Sequence, residues 1–419
     1  MAKILLLSLV FPPDNVSTAH IMGDLAVDLS ARGHTVSVIT TIPHYNEDID
    51  AIAGQTLYRY WTGVVSRSTY HGINVIHTWM PRKGKNKLFR IVAWLGFHAV
   101  STLTGVLSRF KPDVILAPSP PLTIGISAWL LGLRHRCPFI YNVQEIYPDV
   151  AVDLGVLKNR SIIRFLEGLE GFVYQKSAAL AVISDGMADR IRAKGIPDNK
   201  ICVIPNFVDV DDFHPLPKVN PFCSKYGLEN KFVVSYAGNM GKPQGLEFLI
   251  EAAHILRKEE DVHFLIMGDG SERQTLLNLI SSLRLGNITF LPYQPYHLMA
   301  EAYATADASF VSQAPGTSSD GIPSKVYRIM SCARPVIACT DPDSDIARLV
   351  TKVDAGAVVN AGDPSALADV IRDAFNNRDE WIYKGIKARE AIMKGYSRSH
   401  ISDRYSELIM GLQKRGAGI

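Results

Sequence analysis

Features that would place this 419-residue chain in several common classes are missing from it. Its five cysteines are scattered, without a Cys-x-x-Cys pair, so neither a disulfide framework nor a zinc site is indicated and a reducing cytoplasm fits best. No run of about 18 residues is fully apolar. The N-terminal run MAKILLLSLVFPP is short for a signal peptide and has no small-x-small cleavage site. We therefore expect a cytoplasmic protein whose N-terminus is a buried strand.

Acidic residues are also missing from one long stretch of the chain. Overall, 44 Lys and Arg face 41 Asp and Glu, and a net charge of +3 is too small to be typical of a nucleic-acid-binding protein. From residue 51 to residue 112, however, no acid occurs. The basic residues of this stretch are Arg59, Arg67, Arg82, Lys83, Lys85, Lys87, Arg90, Arg109 and Lys111.

This basic stretch contains tryptophan and phenylalanine residues and continues into the uncharged segment from Ile91 to Leu107. Cations interleaved with aromatic residues beside an apolar helix are typical of proteins that lie on an anionic membrane surface. We therefore expect peripheral attachment to the inner face of the cell membrane, because the segment is too short and too polar to span it. The predicted membrane-facing residues are Arg82, Lys83, Lys85, Lys87 and Arg90. A nucleic-acid site and an ordinary solvated basic face are the alternatives.

Short apolar runs alternate with helical patterns along the chain. Lys3 to Leu9 is followed by a helical pattern from about Ala19 to Arg32 and by a second run from Thr35 to Thr40, an order typical of a parallel sheet. The later runs of the first half are Ile73 to His77, Val114 to Leu116, Phe139 to Val143, Ala179 to Ile183 and Ile201 to Ile204. Residues 1–206 are therefore predicted to form one doubly wound α/β domain.

A Pro- and Asp-rich stretch after Asn206 predicts a linker, and a second alternation follows it. Its apolar runs are Phe232 to Ala237, Val262 to Met267, Ile288 to Leu291, Ala308 to Val311, Val336 to Ala338 and Ala357 to Val359. We expect residues 207–395 to form a second α/β domain of the same class. Residues 396–419 are predicted to be helical and to pack back on the first domain.

The loop after the first predicted strand, FPPDNVSTA, lacks the G-x-G-x-x-G pattern of dinucleotide-binding domains. This argues against a nicotinamide or flavin dehydrogenase. Asn15, Ser17 and Thr18 are instead small polar groups near a helix N-terminus, where they are candidates for contact with an acceptor or a phosphate. An ordinary strand-to-helix turn is the alternative.

Two glycine-rich turns follow predicted strands of the second domain. The turn from Gly238 to Gly245 is expected to open a helix, so that backbone N–H groups and Lys242 meet at a site suited to a diphosphate. In the second turn, from Gly268 to Ser271, we expect Asp269 to cap the following helix.

A polar loop beginning at Gly316 leads into a third candidate helix. Pro323 is predicted at its first position, with Ser324 and Lys325 in the first turn. A lysine is unusual there because the positive end of the helix dipole repels it. An anion such as a phosphate would neutralise both, whereas an exposed, solvated lysine is the alternative.

Taken together and in order, these stretches resemble the family 4 glycosyltransferases, and nearly the whole chain is covered. The nearest resemblance is to bacterial polysaccharide enzymes of the colanic-acid and N-acetylfucosamine-transferase types. The matching stretches are FPPDN, YNVQEIYPDV, ISDGMADRI, VIPNFVD, YAGNMGKPQGLEFLIEAA, MGDGSER, PYQPYHLMAEAYATADASFV and GIPSKVYRIMSCARPVIA. The resemblance implies the α/β GT-B fold, with two Rossmann-like doubly wound parallel-sheet domains facing a central cleft.

The resemblance further implies a retaining transfer of a sugar, expected to be an N-acetylated or deoxy hexose, from a UDP-sugar to a lipid-diphosphate-linked saccharide. No metal or other cofactor is expected. The second domain would hold the donor, and Gln144 on the first domain would join the acceptor-side residues named above. The implied donor-site residues are Gly241, Lys242, Gln244, Asp269, Tyr293, Gln294, Ser324, Lys325 and Arg328. The implied catalytic residues are Glu145, Asp320 and Lys325.

Three positions depart from the family pattern. Its spaced pair of glutamates becomes Asp320 and Arg328, so a cation replaces the acid that normally holds the ribose hydroxyls. The histidine before the catalytic-loop acid is Gln144, and the paired glycines of the first loop are Val16 and Ser17. Two other functions stay open, a non-hydrolysing UDP-sugar 2-epimerase and a catalytically inactive GT-B scaffold.

Overall fold

The chain divides after Asn206 into two compact units. This computed structural model describes residues 1–14, 16–44, 58–60, 64–80, 87–153, 155–315 and 321–416, without the side chains of residues 58–60, 87–91 and 415–416. The first unit contains Met1–Asn206 and the segment from Arg398 onward, and the second contains Phe207–Ser397. The first unit is therefore discontinuous in sequence.

A single sheet runs through the first unit, and its strands among the described residues are β1 (Lys3–Leu7), β2 (Thr35–Thr41), β3 (Tyr58–Tyr60), β4 (Val65–Tyr70), β5 (Ile73–Thr78), β6 (Val114–Pro118), β7 (Phe139–Val143), β8 (Ala179–Val182) and β9 (Ile201–Val203). Their order is β3-β4-β5-β2-β1-β6-β7-β8-β9. The β3–β4 and β4–β5 pairs are antiparallel, and the remaining neighbours are parallel. The predicted doubly wound parallel sheet is confirmed, with an antiparallel edge that the apolar pattern did not predict.

Helices cover this sheet, which explains why a strand such as β6 is buried along its whole length. Among the described residues up to Asn206, the helices are α1 (Ser17–Ala31), α2 (Lys87–Leu107), α3 (Ile124–His135), α4 (Asp149–Asp153), α5 (Arg160–Lys176) and α6 (Asp185–Ala193). One apolar core joins the sheet to its helices, with Phe97, Leu131 and Val173 contributed by α2, α3 and α5.

The second unit has a parallel sheet of β10 (Phe232–Asn239), β11 (Val262–Asp269), β12 (Ile288–Leu291), β13 (Ala308–Ser312), β14 (Val336–Cys339) and β15 (Gly356–Val359). The order is β12-β11-β10-β13-β14-β15, which is the doubly wound arrangement of a Rossmann-like domain. Alternate side chains enter different cores, since Val233 packs in one apolar cluster and Val234 in another. Helices are therefore needed on both faces.

Those helices are α7 (Pro221–Lys225), α8 (Glu247–Ile255), α9 (Arg273–Ser282), α10 (Met299–Ala304), α11 (Ser324–Ser331), α12 (Asp345–Val353), α13 (Pro364–Asn376) and α14 (Arg378–Gly395). Side-chain caps fix several starts. The Ser344 hydroxyl accepts from the Ala347 N–H at 3.1 Å, and the Asp363 carboxylate accepts from the Ala366 N–H at 2.9 Å.

The last helix, α15 (Arg398–Gly416), returns to the first unit and packs on α1. Arg398 bridges two carboxylates of α1, Asp28 at 2.9 Å and Asp24 at 3.1 Å. Arg32, which directly follows α1, pairs in turn with Asp403 of α15 at 2.7 Å. These pairs join the two ends of the chain within one unit.

Helix α2 carries an exposed apolar stripe, which we call the α2 stripe. Within the described side chains of this helix the exposed positions are Val92, Leu95, Ala99, Leu103 and Leu107. Their spacing of three or four residues places them on one face. Across the described parts of the chain, no helix has both the length and the apolar character needed to cross a membrane.

Candidate active site

In each unit the strand order reverses beside the first strand. This point lies at β1, between β2 and β6, in the first sheet, and at β10, between β11 and β13, in the second. Ligands of doubly wound domains bind outside the carboxyl ends of the strands at this point. Those ends are Leu7 and Pro118 in the first unit and Asn239 and Ser312 in the second.

Lys325 lies in the first turn of α11, as predicted, and reaches the end of β10. Its Nζ donates to Tyr236 Oη at 3.1 Å and lies 4.2 Å from the centroid of that ring. Tyr236 Oη in turn donates to the Asn239 carbonyl at 2.5 Å. No carboxylate among the described residues pairs with Lys325. Pro323 is the residue before the helix rather than its first residue, so that prediction was wrong by one position.

The half-buried ammonium of Lys325 is poorly solvated, and burial lowers its pKa to about 7. Gly238 makes room for it, because a Cβ there would lie 2.9 Å from Nζ. On β11, Gly268 pairs with Gly238 at φ +151°, and a Cβ on it would lie 1.9 Å from the Gly238 carbonyl oxygen. Both positions therefore require glycine. At neutral pH the Lys325 side chain is therefore only partly charged, and a bound anion would favour its charged form.

Arg328 lies one turn further along α11, where its guanidinium faces two aromatic rings. It is 5.1 Å from the ring centroid of Phe213 and 5.6 Å from that of Tyr296. No carboxylate or hydrogen-bond acceptor of the described residues engages the guanidinium. Residues three apart on a helix share a face, so Lys325 and Arg328 form a pair of cations.

The turn from Gly238 to Gly245 has a different structure from the one predicted. A short 3-10 turn, Lys242–Gln244, precedes α8, and the turn's N–H groups are largely used inside the protein. The N–H of Met240 donates to the Asp269 carbonyl at 2.8 Å, and that of Gly241 donates to Gln244 Oε1 at 3.0 Å. The expectation of bare N–H groups at a helix start was therefore wrong at these positions, whereas the Lys242 side chain is exposed.

Asp269 also behaves differently from its prediction, because α9 begins at Arg273 without a side-chain cap. Asp269 Oδ1 instead accepts from the Gly270 N–H at 2.8 Å. Tyr293, 57% exposed, donates from Oη to the Asp269 carbonyl at 3.3 Å. Gln294 donates to the Pro292 carbonyl at 2.9 Å. Asp269 and Tyr293 are thus exposed beside the end of β11, whereas Gln294 is half-buried and its side chain is bonded to the main chain.

In the first unit, Glu145 follows the end of β7 and is exposed. Its carboxylate has no hydrogen bond or ion pair among the described residues. Although the residue is exposed, partial desolvation by the surrounding protein raises the pKa of its carboxyl group above the usual value. Gln144 is predicted as an acceptor-side residue, but both of its amide N–H groups are used internally, on Asn142 Oδ1 at 2.7 Å and Asn206 Oδ1 at 3.1 Å.

Ser17 and Thr18 open α1 at the carboxyl edge of the first sheet, which is where an acceptor-side role requires them.

Other predictions fall outside what the structure describes. Those lying outside the described residues are Asn15, Arg82, Lys83, Lys85 and Asp320. Lys87 and Arg90 belong to α2, but their side chains are not described. Within the described residues, no group of three or more His, Cys, Asp and Glu side chains is arranged to hold a metal ion.

Comparison with known proteins agrees with this architecture. Residues 18–206 match the "Glycosyl transferase 4-like domain" family, and residues 231–377 match "Glycosyl transferases group 1". The Escherichia coli protein WcaI, named as a colanic acid biosynthesis glycosyl transferase, is 25% identical over 83% of this chain and 85% of its own. The Pseudomonas aeruginosa protein WbjE, named as a glycosyltransferase, is 26% identical over 78% of this chain and 80% of its own.

Solved structures show the same fold. The structure of HepE from Anabaena in complex with UDP superposes with a TM-score of 0.74, at 16% identity, over 98% of this chain and 100% of that one. WaaG, a glycosyltransferase involved in lipopolysaccharide biosynthesis, gives a TM-score of 0.68 at 15% identity over 97% of this chain and 100% of its own. The chain belongs to the family 4 glycosyltransferases, and both of its units are the α/β domains of the GT-B fold.

Proposed function

We propose that this glycosyltransferase retains the anomeric configuration of a sugar that it moves from UDP to a lipid-diphosphate-linked saccharide. The transferred sugar is an N-acetylated or deoxy hexose, and the product is a surface polysaccharide such as an O-antigen or a capsule. The observation that carries the proposal is Lys325, a half-buried cation at the switch point of the second sheet with Arg328 one turn away. Two cations on one helix face suit a diphosphate.

The proposed chemistry needs charge stabilisation more than it needs a metal. The bond between the anomeric carbon and the diphosphate oxygen breaks with its electron pair, and the acceptor oxygen bonds to that carbon on the same face. The acceptor proton passes to a diphosphate oxygen. Lys325 and Arg328 would stabilise the charge that develops on the departing diphosphate, and Glu145 would orient the acceptor. Chelation of divalent metals should leave the reaction unchanged.

The named relatives support the proposed donor and pathway. HepE was solved with UDP and with UDP-glucose, and the Escherichia coli relative is named for colanic acid biosynthesis. The attachment to the inner face of the membrane that we propose is supported by the α2 stripe, because apolar side chains on a surface helix bury themselves at a bilayer interface. The basic stretch surrounding α2 in the sequence would add attraction to anionic lipid.

A donor screen tests the proposal. Thermal shift with UDP-, GDP- and dTDP-sugars should select UDP, and UDP should be released when UDP-N-acetylglucosamine or a deoxy analogue is incubated with a membrane lipid extract. Formation of a free epimer without UDP release would instead indicate the 2-epimerase. Binding without any turnover of the donors would indicate the inactive scaffold.

Glu145→Gln tests the assignment of the first unit. The substitution keeps the size of the side chain and removes its charge, so transfer should fall by about tenfold or more. The affinity for UDP, measured by calorimetry, should stay within about twofold of that of the native protein, because Glu145 belongs to the other unit. An equal loss of UDP affinity would contradict the acceptor-side role.

A further inference from the structure

Every polar atom of Gln144 that can donate a hydrogen bond is used by other parts of the first unit. Its backbone N–H donates to Ser119 Oγ at 2.9 Å, and its side-chain N–H groups go to Asn142 and Asn206. This residue directly precedes Glu145. A side chain so fully engaged cannot also donate to a substrate without breaking these bonds.

The contact between Gln144 and Asn206 is reciprocal. Gln144 Nε2 donates to Asn206 Oδ1 at 3.1 Å, and Asn206 Nδ2 donates back to Gln144 Oε1 at 2.8 Å. Two antiparallel bonds between planar amides fix distance and orientation together. Asn206 is also the last residue of the first unit before the chain enters the second.

Asn142, which is fully buried, connects a third chain segment, α15, to these hydrogen bonds. Its Oδ1 accepts from Gln144 at 2.7 Å, while its Nδ2 donates to Tyr405 Oη at 2.9 Å and to the Ala181 carbonyl at 3.2 Å. Tyr405 comes from α15 and is 3% exposed. The end of β7 is thus bonded to the C-terminal helix and to the unit boundary.

The other side of the loop is anchored by packing and charge. Ile146, directly after Glu145, is 1% exposed and belongs to the apolar core. Asp149 pairs with Arg190 at 3.0 Å and with Lys194 at 2.9 Å. Glu145 is therefore an exposed side chain on a loop held at both ends.

We propose that Asn206 and Tyr405 are positioning residues, which act through Gln144 and Asn142 to fix the main chain that presents Glu145. The inference rests on the proposed role of Glu145 in transfer. A displacement of about 1 Å at a reacting group can cost on the order of a hundredfold in rate, so bonds that immobilise this loop contribute to turnover as well as to stability. A solely structural network would contribute to stability alone.

Hydrogen exchange tests the positioning without needing a substrate. Asn206→Ala should speed exchange of the backbone amides from Gln144 to Tyr147 by about tenfold or more, and Tyr405→Phe, which removes one hydroxyl, should do so less. Asn74→Ala is the matched control, because it removes a hydrogen bond of 3.1 Å from the side-chain amide to Ser37 Oγ, between β5 and β2 and away from β7 in the same sheet. Unchanged loop exchange in Asn206→Ala would overturn the inference.

Kinetics tests the consequence, with UDP release from UDP-N-acetylglucosamine and a membrane lipid extract as the probe. Asn206→Ala should lower kcat by about tenfold while the UDP Kd stays within about twofold, and Asn74→Ala should change neither. Combining Asn206→Ala with Gln144→Ala should cost little more than Gln144→Ala alone, because Gln144→Ala already removes both bonds to Asn206. Additive losses in kcat would overturn the inference. Absence of UDP release by the native protein would contradict the proposed function, while the exchange measurement would still decide the positioning.

Discussion

Lys325 occupies a position in which two local effects oppose its charge. It lies in the first turn of α11, where the helix dipole repels a cation, and it is half buried. The Tyr236 ring and hydroxyl offset only part of this cost, and the pKa is lowered to about 7. The anion that we propose to bind here would offset the remaining cost of the charge.

Lys325→Ala should weaken UDP binding and slow transfer. A charge-assisted contact to phosphate is worth roughly 1.5 to 3 kcal/mol, so the loss should be about tenfold to a hundredfold. Calorimetry with UDP measures the first effect and UDP release the second. Lys258→Ala, which changes an exposed lysine of the same unit, is the control and should alter neither. Activity within about twofold of native would exclude the phosphate role.

The pKa of Lys325 predicts how UDP affinity depends on pH. At about pH 7 half of the lysine is charged, and at higher pH binding must first return a proton to it. UDP is fully ionised above about pH 7. The UDP Kd should therefore rise by up to about tenfold per pH unit between pH 7.5 and 9. Lys325→Arg, which stays charged, should give a nearly flat profile. A flat profile in the native protein would contradict the assigned pKa.

From the sequence, candidate cations and acids could be named, but not the groups that contact them in the fold. Lys325 was placed correctly because the turn before α11 has a local signature. Tyr236 lies 89 residues earlier inside an apolar run, and only the fold brings its hydroxyl to the lysine. The pairing of Gln144 with Asn206, 62 residues apart, is equally invisible to local patterns. Long-range hydrogen bonds of this kind have no periodicity to detect.

Among the elements, α2 is unusual because it is apolar on its buried and exposed faces alike. A helix that is hydrophobic on all sides is normally covered. Its exposed positions include Leu95 at 60% and Leu103 at 53%. The α2 stripe therefore suits the proposed contact with a bilayer interface.

Replacing Leu95 and Leu103 by Ser should weaken binding to anionic liposomes by at least about tenfold, since a buried leucine contributes roughly 1.5 to 3 kcal/mol. Both side chains are exposed, so stability should change little. Co-sedimentation measures the binding, and Ile382→Ser, at an equally exposed site in the second unit, is the control. A second variant replaces the cations predicted from the sequence, Arg82, Lys83, Lys85 and Lys87, by Ser. It should weaken liposome binding mainly at low salt, because salt screens the attraction to anionic lipid. Undiminished binding of both variants would refute the membrane surface.

The strand boundaries show how far an apolar pattern can predict secondary structure. β7 and β12 were predicted to the residue, because their apolar runs end where the ladder ends. β10 and β11 continue through Asn239 and Asp269, two residues beyond the apolar run in each case, because main-chain pairing continues regardless of side-chain polarity. The strand β4, sequence VSRSTY, lies one strand in from the sheet edge, lacks an apolar run and was missed. Strands with many polar side chains are a general weakness of prediction from hydrophobic patterns.

At the scale of the whole molecule, each unit has its own apolar core. We therefore expect two unfolding transitions in calorimetry. UDP at about a hundred times its Kd adds about 2.7 kcal/mol to the unit that binds it, which should raise one transition by roughly 5 to 10 °C. Arg398→Ala should lower the other by removing the ion pairs to Asp24 and Asp28, worth about 1 to 2 kcal/mol in this partly exposed setting. A single transition that responds to both changes would contradict this expectation.

The return of α15 to the first unit has a consequence for how the protein is made on the ribosome. Domains generally complete themselves in the order of synthesis, the N-terminal one first. Here Asn142 bonds to Tyr405 and Asp28 bonds to Arg398. Both partners are translated only after the whole of Phe207–Ser397. The unit that is begun first is therefore finished last. During elongation the loop that carries Glu145 lacks part of its support, and the nascent chain acquires a complete first unit only when the final helix has emerged.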